Sequence, residues 1–403
     1  MFIDIILALV IGCFFGCITG LIPGIHVNLI SMMLVSMSGY LLGFTSPIVL
    51  GVFIIAMAIT HTFLDSIPSV FLGAPDSDMA LGVLPGHRLL LEGKGYEAVK
   101  LTVIGSLIAL IVTLFLIPMM IPFVPWIYAV IQPYIGHILV FVVLYMIISE
   151  KVFSKISWSV FLFFLSGVLG IIVLNWSNIR QPLFPMLSGL FGISTLVTSL
   201  SSNTKVPKQS ISETIEVSFG AKVKAILAAV FSGSLTGLMP GLGAAQAAII
   251  AMQLVGDIGA YAFMILLGGI NTVNFAFSLV TFYTLGKARN GAVVAILEIL
   301  QEISFLELGI FLFSALVAGC IATYLALFFA KVFSKLIVKV DYKKLCIWII
   351  SFITIMVVYF SGVVGLMILI TSTFVGMIPS LVGVKRSHAM GCLLLPVILF
   401  FLL

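Results

Sequence analysis

The chain has 403 residues, of which 62% are hydrophobic and only 8% are Asp, Glu, Lys or Arg, where a soluble domain carries about 25% charged residues. With 19 basic and 14 acidic side chains it cannot cover the aqueous surface of a globular protein this long, and a mean hydropathy of +1.34 excludes water as its main solvent. The net charge of +5 is spread over short loops between apolar runs, which reads as a topology signal and argues against nucleic acid as a partner.

Lipid gives backbone groups no outside partner, so a membrane chain is either a helical bundle or a closed barrel. The apolar stretches run about 18–25 residues without period-2 alternation, which selects helices. The sequence predicts an all-α polytopic protein of the cell (cytoplasmic) membrane, with roughly 10–12 membrane segments embedded in membrane lipids.

The N-terminus opens Met-Phe-Ile-Asp, with no basic stretch and no small-residue cleavage site, and reads as a retained first helix rather than a signal peptide. Gly12, Gly16 and Gly20 form a bare stripe along it, the kind of face that lets helices approach closely in lipid. Cys13 and Cys17 share a face of this helix and read as packing residues. None of the five cysteines shows metal-ligand or CxxC spacing. At Pro23-Gly24 the pattern breaks: Pro removes a donor and Gly permits positive φ, so the helix stops before crossing the core. A new helix is expected over 25–36, with His26 and Asn28 in its first turn beside Thr19 and Gly20. Broken backbone at membrane depth survives only when buried in protein or lining a cavity, and a helix start there offers free N–H groups and partial positive charge to an anion.

The next polar stretch is Thr60 to Asp78. His61 and Asp65 are four apart and share a helix face; an ionisable pair in an apolar segment points to function, the alternative being a structural ion pair or a helix end at the headgroups. Arg88 and Glu92 decorate a short interfacial helix punctuated by Gly93 and Gly95. Trp126, Trp158, Trp176 and Trp348 read as interfacial anchors, and His137 and His388 as loop or helix-end residues. The polar stretch 201–217 joins an N-terminal transmembrane half (1–200) to a C-terminal one (218–403).

The second half repeats the first. Residues 233–241, GSLTGLMPG, match 16–24, GCITGLIPG, at six of nine positions. Thr236, Gly237, Pro240 and Gly241 thus mirror the first break, followed by Gly243 and Gln246 in place of His26 and Asn28. Lys151-Val-Phe-Ser-Lys155 recurs as 331–335, and Gly192-Ile-Ser-Thr corresponds more weakly to Gly376-Met-Ile-Pro. Three matches in one order predict two homologous repeats. The loop at 151–155 has two Lys where 331–344 has five, an asymmetry that favours opposite sides of the membrane, hence inverted repeats, with 205–224 and 331–344 cytoplasmic. Opposite His61 and Asp65, the second half has Asn271, Thr272 and Asn274. Their oxygens suit Na⁺, while Asp65 or His61 could carry a proton. Glu298 and Glu302 are four apart and read as one face of an interfacial helix, with Glu307 following.

These residues resemble the large membrane subunit of the tripartite tricarboxylate transporters, the TctA family, in a compact archaeal-type form. The likeness rests on Phe15-Gly16 through Pro23-Gly24 and its second copy at 233–243, on Leu72-Gly-Ala-Pro75, Leu84-Pro-Gly-His-Arg88, Glu92-Gly-Lys-Gly95 and Gly189-Leu-Phe-Gly192, and spans about residues 8–400. It implies ion-coupled secondary uptake of small carboxylates, with a soluble binding protein delivering substrate and a small membrane subunit assisting.

Paired broken helices in two repeats point to a transporter's midplane site. The sequence therefore predicts a permease whose anionic substrate, a di- or tricarboxylate, binds between the breaks at Thr19, Gly20, Pro23, Gly24, His26, Asn28 and Thr236, Gly237, Pro240, Gly241, Gly243, Gln246. His61, Asp65, Asn271 and Asn274 would couple transport to Na⁺ or H⁺; no cofactor and no bound metal are expected. Two other readings stay open. A polyprenyl-phosphate translocase that recycles lipid carriers would use the same helix starts, and no second Arg or Lys stands out to neutralise a tricarboxylate. An intramembrane enzyme could use His26, His61 and Asp65, although their spacing matches no HExxH-like motif.

Overall fold

The computed structural model describes residues 2–23, 27–73, 79–177, 179, 182–201, 207–212, 214–239, 243–288, 290–338 and 342–403. Every regular element among them is helical. The N-terminal half runs α1 (Phe2–Leu21), α2 (Val27–Leu41), α3 (Pro47–Leu64) with its continuation α4 (Ser66–Phe71), α5 (Val83–Leu91), α6 (Gly95–Met120), α7 (Val124–Ile131), α8 (Ile135–Ile148), α9 (Phe153–Leu174) and α10 (Leu183–Leu187), then a π-helical turn (Ser188–Ile193) and α11 (Ser194–Ser201). The C-terminal half runs α12 (Phe219–Leu238), α13 (Ala244–Val255), α14 (Gly259–Leu285), α15 (Gly291–Leu300), α16 (Phe305–Ile337), α17 (Tyr342–Val382) and α18 (Gly391–Leu402).

Among the described residues, nine helical segments are long and apolar enough to cross a membrane, and α13, α15 and the stretches 183–198 and 386–402 are shorter apolar helices. The chain is a multi-pass integral membrane protein. α17 is two helices: at Gly362 the backbone adopts φ 64° and ψ −161°, a conformation open to glycine and to little else. Boundaries follow local chemistry. Pro47 opens α3 with its φ already helical. Ser304 and Glu307 form a reciprocal capping box that starts α16, Ser304 N–H donating to Glu307 Oε2 at 2.7 Å and Glu307 N–H to Ser304 Oγ at 3.3 Å. Gly286 ends α14 in the left-handed region. Glu307 is thus a cap, and Glu302 lies in the turn past the end of α15, so it shares no helix face with Glu298.

The centre of the molecule is α3 and α14, each buried on all sides over most of its length, as a helix that is apolar all round must be. α1 lies along α3 and α12 along α14, while α16 covers α3 and α6 covers α14. The glycine stripes make these contacts. A methyl group at Gly16 would sit 2.5 Å from Thr60 Cβ, and one at Gly20 would sit 2.8 Å from Leu64 Cβ and 3.2 Å from the His61 carbonyl oxygen. In the other half, one at Gly233 would sit 2.9 Å from Val273 Cβ, and one at Gly237 would sit 2.8 Å from Phe277 Cβ and 2.9 Å from the Asn274 oxygen. α6 and α14 approach so closely that a methyl group at Gly105 would collide with the Ile265 carbonyl, and one at Gly268 with that of Thr102.

The polar stretch between the halves is fastened to the α5–α6 corner. Gln209 accepts the Gly95 N–H at 2.8 Å and donates to the Leu90 carbonyl at 3.0 Å, and Ser210 N–H donates to Gly93 O at 2.7 Å. Gly93, at φ 82°, makes room for this strap. The two copies of Lys-Val-Phe-Ser-Lys fall in different local structure, one at the start of α9 and one in the last turns of α16. The π-helical turn and α17 pack closely: Gly189 lies on Ser372 and Gly376 on the Leu190 carbonyl. All four tryptophans are exposed, as lipid-facing or interfacial anchors would be.

Past α8, Glu150 accepts from His388 Nε2 at 2.9 Å and from the Lys385 N–H at 3.2 Å. Burial lowers the His388 pKa, with the Glu150 bond opposing. Glu150 also lies below its ordinary value: burial alone would raise it, but the bonds from His388 and Lys385 outweigh that. A neutral imidazole therefore donates to a carboxylate. The folded His388 binds its proton less readily than the unfolded one, so stability falls as pH drops below the unfolded value near 6.5. Glu150 adds a loss in the same direction as pH falls through its own folded pKa. Thermal unfolding in detergent should accordingly show a melting temperature that declines from pH 7 toward pH 5, with a shallower decline in His388→Gln. In the same assay Gly105→Ala should lower the melting temperature of the protein sharply, because overpacking costs about 1–3 kcal/mol or more, while Gly309→Ala, which meets nothing within 4 Å, should be neutral.

Candidate functional site

The buried polar residues of α3 and α14 meet where these helices cross. Asn271 Nδ2 donates to Asp65 Oδ2 at 2.6 Å, joining residues 206 positions apart. One turn back, the Thr62 and Thr272 hydroxyls lie 3.4 Å apart. Ser69 Oγ donates to the Asp65 carbonyl at 3.0 Å, and Thr102 of α6 donates to Ser66 Oγ at 3.0 Å. Ser106 of α6 donates to the Gly268 carbonyl of α14 at 3.0 Å. Asp65 and Asn271 are almost wholly shielded. A carboxylate in such a place is costly unless it is hydrogen-bonded or shares a cation, and the surrounding hydroxyl, amide and carbonyl oxygens are hard ligands of the type that suit Na⁺ or a proton.

The ends of both interrupted helices lie against this layer. Gly20, in the last turn of α1, packs on His61; Gly237, in the last turn of α12, packs on Asn274, and the Gly237 carbonyl accepts from Thr281 of α14 at 2.9 Å. His61 is buried, and Asn274 is half-buried. Thr19 and Thr236 are buried with their hydroxyls turned back onto their own helices, Thr19 to Gly16 O at 3.2 Å and Thr236 to Ser232 O at 2.9 Å. Gly243 precedes α13 in extended backbone, and its N–H donates to Gln246 Oε1 at 3.0 Å, so the Gln246 side chain caps that helix start. Pro23 is half-buried just past α1. Gly24, His26, Pro240, Gly241 and the side chain of Asn28 lie outside the described residues.

The structure thus bonds Asp65 to Asn271, with His61 one turn before Asp65 on α3 and Asn274 one turn past Asn271 on α14, and Gly20 and Gly237 pack on the backbones of His61 and Asn274. Sequence reasoning did not find Thr62, Ser66 and Thr102, whose small hydroxyls are common in any helix. It also did not find His87. That imidazole is buried, and its Nδ1–H donates to the Val70 carbonyl at 3.2 Å, since a carbonyl can only accept; burial pulls its pKa down. Arg386 is a further omission, half-buried and bonded to Thr195 and Ser380. Set beside Lys385 after a long apolar run, it reads in the sequence as an ordinary helix-end charge. Among the described residues, no group of three or more His, Cys, Asp or Glu gathers as a metal site would require.

Comparison with known proteins gives a consistent result. The model of the tripartite tricarboxylate transporter TctA family matches residues 6–391. An uncharacterized protein of Methanocaldococcus jannaschii is 31% identical over 406 residues, covering 98% of this chain and 99% of that one. No solved structure gives a significant match.

If the Asp65–Asn271 bond joins the two halves energetically, the stability losses of Asp65→Ala and Asn271→Ala should not add. A double-mutant cycle read by thermal or denaturant unfolding in detergent should give a coupling of about 0.5–3 kcal/mol; additivity would mean that the contact does no such work.

Proposed function

The chain belongs to the tripartite tricarboxylate transporter TctA family, and from that premise we propose that it is a secondary active permease for a small di- or tricarboxylate, coupled to Na⁺ or H⁺. One observation supports the reading most. The last turn of α1 and the last turn of α12 pack on His61 and Asn274, and the Asp65–Asn271 bond joins the helices that carry those two residues. Both chain breaks therefore flank one buried polar layer at the heart of the bundle, where transporters place substrate and coupling ion.

The same contacts support two homologous halves, 1–200 and 218–403 about the strap 201–217. Gly16 on Thr60 corresponds to Gly233 on Val273, and Gly20 on His61 and Leu64 to Gly237 on Asn274 and Phe277. The partners are offset by one constant shift, so His61 and Asn274 are counterparts. α3 covered by α16 likewise corresponds to α14 covered by α6. In the pairs Thr62–Thr272 and Asp65–Asn271 the partner's number falls as the first rises, the sense expected of inverted repeats. In this reading the starts of α2 and α13, which follow the breaks, supply N–H groups to the substrate carboxylates. Asp65, with Asn271, Thr62 and Thr272 around it, holds the coupling ion. Two further proteins, a soluble binding protein and a small membrane subunit, complete the assembly by family kinship.

The reading is tested by uptake in vesicles. Gly24→Val and Gly241→Val should abolish transport while leaving expression and melting temperature near wild type. A charge-assisted hydrogen bond contributes about 1.5–3 kcal/mol, so substrate affinity should fall roughly ten- to a hundredfold. In a thermal-shift screen, citrate or succinate should stabilise the wild-type protein and a short polyprenyl phosphate should not. The reverse outcome would transfer the site to a lipid carrier, and wild-type uptake by either variant would remove the site from the breaks.

A further inference from the structure

Away from the breaks and from the Asp65 layer, a cavity of about 180 Å³ opens among α5, α13, α14, the π-helical turn and the 385–387 segment. Its walls are apolar: Leu81, Val83, Pro85, Phe191, Met252 and Phe263. Lys385, Arg386 and Ser387 complete the lining. None of these residues belongs to the site proposed above. Two motifs that carry the family resemblance but have no part in the site proposed above converge here, Leu84-Pro-Gly-His through Pro85 and Gly189-Leu-Phe-Gly through Phe191.

Arg386 donates to the hydroxyls of Thr195 and Ser380, both neutral acceptors, and among the described residues no carboxylate lies within ion-pairing distance of it. The acidic side chain that reaches this segment, Glu150, accepts from His388 and the Lys385 N–H instead. Burial works against the Arg386 charge with nothing opposing it. A half-buried guanidinium between two hydroxyls and beside a lysine is costly to keep. Its five donors exceed the two bonds it makes, and their planar fork matches a carboxylate bidentately. The wall is also built unusually: Phe191, whose carbonyl accepts from Arg386's partner Thr195, sits in a π-helical turn, Ser188–Ile193, a local widening frequent at functional sites.

Size and walls narrow the ligand. A dry apolar cavity of about 150 Å³ accepts benzene, so the space of about 180 Å³ here has room for one six-carbon body. A citrate-like substrate would leave charges against Phe191 and Met252. We propose that this cavity is a second anion site, specific for a monocarboxylate with a compact apolar body, an aromatic or branched short-chain acid, with its carboxylate on Arg386.

The probe is benzoate, with benzamide as its neutral isostere, titrated by calorimetry into the full-length protein in detergent. Benzoate should bind saturably and benzamide at least about tenfold more weakly. Arg386→Gln should weaken benzoate at least about tenfold, and Arg386→Lys less, since an ammonium keeps the charge but loses the fork. Met252→Trp, which fills the apolar end and leaves Arg386 in place, should abolish binding. Gly24→Val should bind benzoate as wild type does, which keeps this outcome separate from that of the transport site. Equal binding of benzamide, binding unchanged in Arg386→Gln or Met252→Trp, or no saturable binding by the folded wild-type protein would each overturn the assignment.

Discussion

Lipid neither donates nor accepts hydrogen bonds, and that single deficiency organises the molecule. Every peptide group and every charge drawn into the bilayer must find its partner inside the chain. The helices meet the first demand by construction. The second explains why the few polar side chains at the centre are so interlocked: Asp65 with Asn271, Thr62 with Thr272, Thr102 with Ser66, and Ser106 with the Gly268 carbonyl. Such contacts are weak sources of net stability. Their consequence is specificity of register, because a one-turn slip of α3 along α14 would strand a carboxylate in an apolar wall.

Register also needs proximity, and here glycine does what hydrophobicity cannot. Lipid tails are as apolar as leucine, so helices gain little from hiding apolar faces and more from close packing. Gly12, Gly16 and Gly20 let α1 lie on the backbone of α3, and Gly233 and Gly237 do the same for α12 on α14. The close fit carries the last turn of each interrupted helix to the level of the buried polar layer. The stripe therefore fixes where each of these helices ends.

This division of labour shows which parts of the molecule could be read in the residues alone. The ends of α1 at Leu21 and α12 at Leu238 are legible because proline and glycine follow them in the sequence, and the span pattern because solvent acts on each side chain separately. His61, Asp65, Asn271 and Asn274 each stood out as polar groups in apolar surroundings, yet the bond between Asp65 and Asn271 crosses 206 positions and leaves no local trace. Arg386 was invisible for a related reason. Its interest lies in having no carboxylate within ion-pairing distance among the described residues, and such an absence has no sequence signature. The repeated Lys-Val-Phe-Ser-Lys misled in the opposite way, since a short basic-apolar string suits a helix start and a helix end equally well. Gly362 was one glycine among 36, and only its positive φ separates it from the packing glycines.

The two anion-seeking features differ in physics, and that difference argues for separate roles. A helix start offers fractional charge and several N–H groups spread over a turn, which suits a ligand with carboxylates in more than one direction and lets it leave again once the surrounding helices shift. A guanidinium offers a full charge in one plane, beside an apolar chamber with room for a single small body. Under the two proposals above, the first arrangement suits turnover of a highly charged substrate and the second retention of a singly charged one. The architecture keeps them apart: the starts of α2 and α13 follow helices locked on α3 and α14, while Arg386 stands beyond the C-terminal end of α17 against the π-helical turn. A ligand held there would bridge Phe191 in one half of the chain to Met252 and Phe263 in the other, so its occupancy would bear on how those two halves can move relative to one another.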